Sequence, residues 1–204
     1  MTVPNSLTIL RIILTPVFLF LFLSESSFSK QLALIVYIVA ALTDWYDGLI
    51  ARKYGYVTRW GKFLDPLADK ILSLAALFAF VYLDLIDAWL VWIIVVRDII
   101  ITTLRSYAEL LDKPIITSKT AQAKTFGEYI VIYYILILNV GWNVPFIRKD
   151  FGGTIESLLH PQVLFGMMLL VVISTIGTGV QYIFDNRKLV RELYSKIFNV
   201  PSSE

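Results

Sequence analysis

Long apolar runs recur along almost the whole chain, separated by short polar segments. A membrane-spanning helix needs about 20 mostly apolar residues, and six of the runs meet that length. They lie at about 6–23, 31–53, 61–83, 87–110, 120–141 and 161–184. Charged residues occur chiefly in the second to fifth runs, so those helices should line an interior rather than face lipid throughout. The pattern predicts an all-α integral membrane protein, a bundle of six transmembrane helices.

Composition narrows the class of protein. The chain has 204 residues, 57% of them hydrophobic, and shows no internal repeat or linker, so 1–204 is predicted to be a single domain. The net charge of +2 is too small to indicate nucleic-acid binding. Cysteine is absent, which excludes a disulfide framework, a thiol nucleophile and a thiolate metal site. His160, in a predicted loop, is interpreted as a surface residue.

Positive residues are distributed unevenly between the two sides of the predicted bundle. Six helices put both termini on one side, with the loop between the second and third helices. That side collects Arg11, Arg52, Lys53, Arg59, Lys62, Lys113, Lys119, Arg187, Lys188, Arg191 and Lys196. The other side has only Lys30, Arg148 and Lys149. Because cytoplasmic segments are enriched in Lys and Arg, the termini are predicted cytoplasmic and the longest loop, about 142–160, outside. The tail from Asp185 should lie along the membrane surface.

Two pairs of aspartates flank the junction of the second and third predicted helices. Asp44 and Asp47 are three residues apart and Asp65 and Asp69 are four apart, so each pair shares one helix face. A hairpin turning at about 54–60 would bring the pairs to the same depth. Four carboxylates in a low dielectric need strong compensation, and an all-oxygen set favours Mg²⁺ or Mn²⁺. Two ions about 3.5–4 Å apart would suit displacement at phosphorus.

Residues beside the aspartates are compatible with a phosphate ligand. Gly48 and Gly61 leave space where a ligand or a neighbouring backbone must approach closely. Arg52, near the membrane surface, could pair with a carboxylate or a phosphate. The structural alternative is a buried salt-bridge network in which Arg52, Lys62 or Lys70 neutralises each aspartate.

A second polar stripe is predicted on the fourth and fifth helices. Arg97 lies mid-helix, and Arg105 follows eight residues later, about two turns on and on nearly the same face. Lys119 and Lys124 follow across a short cytoplasmic loop. Arginines inside a membrane without enough acids need an anionic partner, and a phosphate monoester is a natural one. These four cations are therefore the candidates for binding the phosphate of an acceptor substrate.

Two other interpretations stay open for these charges. In the structural one, Arg97 pairs with Asp98 or Glu128, and Arg105 extends to the membrane interface. In the other, the chain is a small metal-binding transporter. That class is typically built from discontinuous helices and paired repeats, and neither is apparent in this sequence.

The signature around the aspartates resembles that of a known family. The order Asp-x2-Asp-Gly-x2-Ala-Arg-x8-Gly-x3-Asp-x3-Asp, from Asp44 to Asp69, carries every signature position of the CDP-alcohol phosphotransferases. The similarity extends over about 4–130. Thr43 and the run from Gly61 to Lys70 look most like the phosphatidylglycerophosphate synthase branch.

The resemblance implies an enzyme of phospholipid biosynthesis. It implies a homodimer in a bacterial inner membrane, with a cytoplasm-facing polar cavity that binds CDP-diacylglycerol. The activity implied is transfer of the phosphatidyl group to sn-glycerol 3-phosphate, giving phosphatidylglycerol phosphate and CMP. Inositol phosphate, phosphatidylglycerol and serine are the alternative acceptors, of which serine would not need so many phosphate-binding cations.

The resemblance also implies roles for individual residues. The metal-ligand positions correspond to Asp44, Asp47, Asp65 and Asp69. Of these, Asp69 also matches the proposed general base. The positions that contact the CDP-linked lipid correspond to Asn5, Thr8, Asp47, Gly48, Ala51, Arg52, Thr58 and Gly61.

Overall fold

Seven α-helices make up the described part of the chain. The computed structural model describes the backbone of residues 3–54, 59–110 and 119–187, and the side chains of 9–43, 70–105, 108 and 120–187. The helices are α1 Val3–Phe22, α2 Ser27–Tyr54, α3 Arg59–Tyr82, α4 Ala88–Leu110, α5 Lys119–Asn143, α6 Pro145–Leu158 and α7 Pro161–Asp185. All but α6 match a predicted apolar run to within a few residues at each end. The tail predicted to lie along the membrane surface falls mostly outside the described residues.

Helix α6 occupies the segment for which the sequence predicted a loop, so that prediction is wrong here. The glycines at 152 and 153 cost helix stability, by about 1 kcal/mol each relative to alanine. Docking on α5 opposes that cost: Ile155 is buried, and a Cβ atom on Gly141 would lie only 3.5 Å from its Cδ1 atom. The Tyr134 hydroxyl also donates a hydrogen bond to the Leu158 carbonyl at 2.9 Å. Tertiary packing, rather than local propensity, therefore stabilises this helix.

Local chemistry defines two of the helix ends. His160 precedes α7, and its Nδ1 atom accepts a hydrogen bond from the Gln162 backbone N–H at 3.4 Å. Its side chain is exposed, as predicted. At the end of α3, Asp84 adopts a left-handed φ of 55°. The next N–H, of Leu85, donates to the Phe80 carbonyl at 2.9 Å, which satisfies a helix end in the manner of a Schellman motif.

An aromatic cluster joins α1, α2, α3 and α5 in the core. Phe18 stacks on Phe22 with ring centroids 5.5 Å apart, and Tyr37 lies 5.1 Å from Phe18. Phe80 meets Phe22 edge-on at 5.8 Å, and Tyr133 meets Tyr37 edge-on at 5.4 Å. Aromatic pairs at such separations add stability beyond the area that they bury. The cluster fixes α3, whose first half carries two of the signature aspartates, against its neighbours.

The outer surface of the bundle is strongly apolar. Phe20 is 81% exposed and Leu170 is 70% exposed, and large apolar side chains point outward from every helix with described side chains. Soluble monomers rarely expose so much contiguous apolar surface. Within the described side chains, Thr120–Asn143 and Pro161–Asp185 are long and apolar enough to cross a membrane. These features are those of a membrane protein.

Candidate functional site

The signature lies on two consecutive helices. Helix α2 carries Asp44, Asp47, Gly48, Ala51 and Arg52, and helix α3 carries Gly61, Asp65 and Asp69. Their side chains are outside the described residues, as are those of Asn5, Thr8 and Lys119 and the whole of Thr58. The backbone is helical at each aspartate, and α2 contacts α3. The helical register therefore keeps each aspartate pair on one face, which is the geometric premise of the predicted metal site.

A buried ionic cluster begins at the residue that follows the last signature aspartate. The Lys70 Nζ atom lies 2.7 Å from an Asp98 carboxylate oxygen and 3.8 Å from a Glu128 oxygen. Lys124 lies 2.6 Å from Glu128 and 3.1 Å from Asp98. We call Lys70, Arg97, Asp98, Lys124 and Glu128 the ionic cluster. It joins α3, α4 and α5.

Arg97 extends the ionic cluster to α7. Its Nη1 atom donates to the Asp98 carboxylate at 2.9 Å, and its Nη2 atom donates to the Thr178 hydroxyl at 3.0 Å. The close approach needs the glycine that follows: a Cβ atom on Gly179 would lie 3.2 Å from the Arg97 Cγ atom. The Arg97 side chain is 15% exposed, so the guanidinium is held on the inner side of α4.

The ionic cluster holds more positive than negative charge. Its three cations face the Asp98 and Glu128 carboxylates, whose side chains are 1% and 2% exposed. Lys124 is fully buried. Buried charges are tolerated only when they are paired, and removing one partner leaves the others uncompensated. The pairing that the structural interpretation predicted for Arg97 is therefore present, and one positive charge remains in excess among the side chains that the structure describes.

The predicted acceptor cations occupy different environments. Arg97 and Lys124 meet around Asp98, where both are already paired. Arg105 is exposed, near the end of α4. Lys119 is the first residue of α5, and its side chain lies outside the described residues. Binding of an acceptor phosphate by these four cations stays a prediction. Any phosphate that binds Lys124 would have to do so while Lys124 is paired with Asp98 and Glu128.

Sequence reasoning missed two contributors on α7, Thr178 and Gly179, because they lie in a run that reads as lipid-facing. The available signal was the alternation of small and polar residues, Thr175, Gly177, Thr178 and Gly179, within an apolar helix. Small and hydroxyl residues in membrane helices typically mark close helix packing. Sequence reasoning placed Lys70 only as a neutraliser of the aspartates, whereas its described partners are Asp98 and Glu128.

A groove of about 570 Å³ lies along the junction of α5 and α7 and is lined by residues of both helices. Lys124 and Thr178 lie at its polar part, while Val131, Met167 and Leu170 supply apolar walls. Among the described side chains, no group of three or more His, Cys, Asp or Glu residues could hold a metal ion. The side chains of the four signature aspartates lie outside the described residues, so their role as metal ligands stays a prediction.

Comparisons with known proteins show which family the chain resembles. Residues 1–177 match the model of the family described as CDP-alcohol phosphatidyltransferase. A Bacillus subtilis protein named CDP-diacylglycerol--glycerol-3-phosphate 3-phosphatidyltransferase is 36% identical, covering 69% of this chain and 79% of its own length. A Rickettsia typhi protein of the same name is 32% identical, covering 88% and 93%. A Drosophila melanogaster protein named "Probable cardiolipin synthase (CMP-forming)" is 27% identical, covering 96% and 61%.

The signature and the family match agree. The family model spans the helices that carry all eight signature positions, together with α4, α5 and most of α7. The two bacterial relatives align over more than two thirds of this chain at above 30% identity. This protein therefore belongs to the CDP-alcohol phosphatidyltransferase family.

Proposed function

We propose that this phosphatidyltransferase moves the phosphatidyl group of CDP-diacylglycerol to sn-glycerol 3-phosphate, releasing CMP. One observation carries the proposal: relatives named for this reaction align along most of their own length and most of this chain, which has the complete signature. The excess positive charge of the ionic cluster supports an anionic acceptor. A phosphate monoester suits arginine, whose planar guanidinium matches phosphate geometry.

The donor set at the signature fits divalent cations, which this family uses. Asp44 and Asp47 on α2, with Asp65 and Asp69 on α3, offer only carboxylate oxygens, the ligands that Mg²⁺ and Mn²⁺ prefer. We propose Mg²⁺ or Mn²⁺ as the cofactor, with two ions held by the four aspartates. When bound, the ions neutralise the diphosphate and the departing phosphate.

The proposed reaction is a displacement at phosphorus. The primary hydroxyl oxygen of glycerol 3-phosphate attacks the phosphorus that carries the diacylglycerol. As that bond forms, the bond from the same phosphorus to the bridging diphosphate oxygen breaks, and CMP leaves with that oxygen. Asp69 takes the proton of the attacking hydroxyl as general base.

The other residues of the site bind and orient. The CDP-linked lipid is proposed to contact eight residues: Asn5, Thr8, Asp47, Gly48, Ala51, Arg52, Thr58 and Gly61. Arg97, Arg105, Lys119 and Lys124 are proposed to hold the acceptor phosphate. In phosphoryl-transfer chemistry such positioning and charge stabilisation supply most of the rate.

We further propose that the chain is one domain with six membrane spans, α1 to α5 and α7, and that it forms a homodimer in a bacterial inner membrane. The termini and a polar cavity at the signature face the cytoplasm. Helix α6 then lies at the outer surface, where exposed Phe146 and Phe151 meet lipid.

Release of CMP tests the proposed reaction. Purified full-length protein in detergent, with CDP-diacylglycerol and Mg²⁺, is expected to release CMP with glycerol 3-phosphate. Serine, inositol phosphate and phosphatidylglycerol are expected to give at least about tenfold lower kcat/KM, since serine and phosphatidylglycerol lack a phosphate monoester and the inositol ring is bulkier than glycerol. The measurement is CMP formed per acceptor, with chelation of divalent ions as the control that abolishes it.

Each acceptor gives a distinct outcome in that assay. CMP release with phosphatidylglycerol alone would replace the proposed reaction by the one named for the Drosophila relative. No release with any of the four acceptors would contradict phosphatidyl transfer by this chain.

Site-specific labelling tests the proposed orientation, because the natural chain has no cysteine. Glu156 on α6 and Asp185 at the end of α7 are both exposed acids, near opposite ends of α7. In intact cells, a membrane-impermeant maleimide is expected to label Glu156→Cys at once. Asp185→Cys is expected to react only after permeabilisation, because about 37 Å of helix separates the ends of α7. The wild-type chain is the unlabelled control, and the reverse order would invert the topology.

A further inference from the structure

We infer that α7 completes the acceptor site: Thr178 and Gly179 position Arg97, and the Tyr182 hydroxyl binds the acceptor phosphate. The inference rests on the proposed function, in which that phosphate belongs to glycerol 3-phosphate. It gives α7 a role beyond spanning the membrane.

Thr178 presents its hydroxyl oxygen to Arg97 in a fixed direction. The hydroxyl donates its own hydrogen bond to the Ser174 carbonyl at 2.8 Å and lies 3.1 Å from the Thr175 carbonyl. The oxygen lone pairs are then free to accept the Arg97 Nη2–H, which lies 3.0 Å away. Since Asp98 holds the Nη1 atom at 2.9 Å, the guanidinium is fixed from two helices.

Gly179 allows this arrangement through its missing side chain. An added Cβ atom would lie 3.2 Å from the Arg97 Cγ atom and 3.5 Å from its Nε atom. The aliphatic part of Arg97 thus lies directly on the α7 backbone. A Cβ atom at 179 would require the Arg97 side chain to shift by a few tenths of an ångström.

Tyr182 lies one turn beyond Thr178 on the same face of α7. Its hydroxyl oxygen is buried and has no hydrogen-bond partner among the described residues. Both Arg97 and Arg105 are close enough to act on this hydroxyl electrostatically. Buried polar groups are nearly always satisfied, so an unpaired hydroxyl one helical turn from the residue that binds Arg97 indicates a ligand that accepts hydrogen bonds and carries negative charge. A phosphate monoester has both properties.

The positions of Arg97, Arg105 and Tyr182 along the membrane normal are compatible with binding of the same phosphate. In the proposed topology α4 and α7 run in the same direction across the membrane. Arg105 is about 12 Å along α4 from Arg97, and Tyr182 is about 6 Å along α7 from Thr178. Tyr182 therefore lies between the two arginines in depth. We assign Tyr182 as a binding residue and Thr178 and Gly179 as positioning residues.

Two conservative variants test the assignment by steady-state kinetics of the full-length enzyme. Tyr182→Phe removes only the hydroxyl, and Thr178→Val removes the hydrogen-bond acceptor for Arg97. Each is expected to raise the KM for glycerol 3-phosphate about tenfold or more, the loss typical of a hydrogen bond to a charged group, with the KM for CDP-diacylglycerol unchanged. A second readout is stabilisation by inorganic phosphate, measured as the phosphate-dependent rise in Tm, which both variants should lose.

Matched controls separate these effects from general damage. Tyr134→Phe removes a tyrosine hydroxyl that bonds the Leu158 carbonyl, and Thr175→Val changes a buried threonine one turn from Thr178 on the same helix. Both controls should keep the wild-type KM for glycerol 3-phosphate. Unchanged KM and phosphate stabilisation in Tyr182→Phe and Thr178→Val would overturn the inference and leave the proposed reaction standing. A wild-type enzyme that releases no CMP with glycerol 3-phosphate would instead contradict the proposed reaction itself.

Discussion

Replacing Asp69 with asparagine is expected to lower turnover about 10²–10⁴-fold, the range that a positioned general base contributes. Asparagine keeps the size of the side chain but cannot take a proton from the attacking hydroxyl. The backbone at 69 is helical, in a helix packed on several others, so the substitution should leave the fold intact. The measurement is CMP release at saturating CDP-diacylglycerol and glycerol 3-phosphate.

The expected loss has two possible sources, because Asp69 is also a proposed metal ligand. If the base role dominates, raising the Mg²⁺ concentration should not restore the rate. Recovery at high Mg²⁺ would assign Asp69 to metal binding alone. Asp87→Asn is the matched control, an exposed aspartate between α3 and α4 that should keep wild-type activity. Wild-type turnover by Asp69→Asn would remove this residue from the mechanism.

Hydropathy predicts most of this fold because the bilayer restricts the solutions. A chain segment that crosses a membrane must satisfy its backbone internally and reach a minimum length, so long apolar runs indicate helices. The run at about 61–83 corresponds to α3, Arg59–Tyr82, and the run at about 161–184 corresponds to α7, Pro161–Asp185. The sequence predicted a loop where α6 lies, because the stability of this helix depends on packing of Ile155 against Gly141 of α5. No local pattern reports that contact.

Some ion pairs of the ionic cluster can be predicted from the sequence and others cannot. The spacing of Lys124 and Glu128, four residues apart, would predict their ion pair on one helix face. The pair between Lys70 and Asp98 depends instead on how α3 packs against α4, which spacing along the chain does not report. Both interpretations of Arg97 were open from the sequence. The structure shows it paired with Asp98, with excess positive charge beside it.

Removing the Asp98 carboxylate should therefore destabilise the protein severely. In Asp98→Ala, the cations Lys70, Arg97 and Lys124 would share the Glu128 carboxylate alone. Breaking a buried ion pair by removing one partner typically costs about 3–5 kcal/mol, because an uncompensated charge stays buried. We expect a large fall in Tm, measured by thermal unfolding in detergent. Asp185→Ala, which removes an exposed acid, should stay within about 0.5 kcal/mol of wild type.

A double variant tests whether the cost comes from charge imbalance. Lys124→Met keeps most of the length of the side chain and removes one cation, so adding it to Asp98→Ala returns the excess positive charge of the ionic cluster to its wild-type value. Residues in one network typically show coupling energies of about 0.5–3 kcal/mol. The double variant should accordingly be more stable than the sum of the two single effects. Strict additivity would show that charge imbalance is not the source of the cost. An Asp98→Ala protein with the Tm of wild type would show that the Asp98 carboxylate does not stabilise the fold.

The same Lys124→Met variant distinguishes the two interpretations of this lysine. Lys124 is fully buried and lies 2.6 Å from Glu128, so its loss should lower Tm chiefly by leaving that carboxylate short of a partner. If Lys124 instead binds the acceptor phosphate directly, the KM for glycerol 3-phosphate should rise while Tm changes little. A fall in Tm with an unchanged KM would make Lys124 structural. Of the four proposed acceptor cations, Arg97, Arg105 and Lys119 would then remain to bind the phosphate.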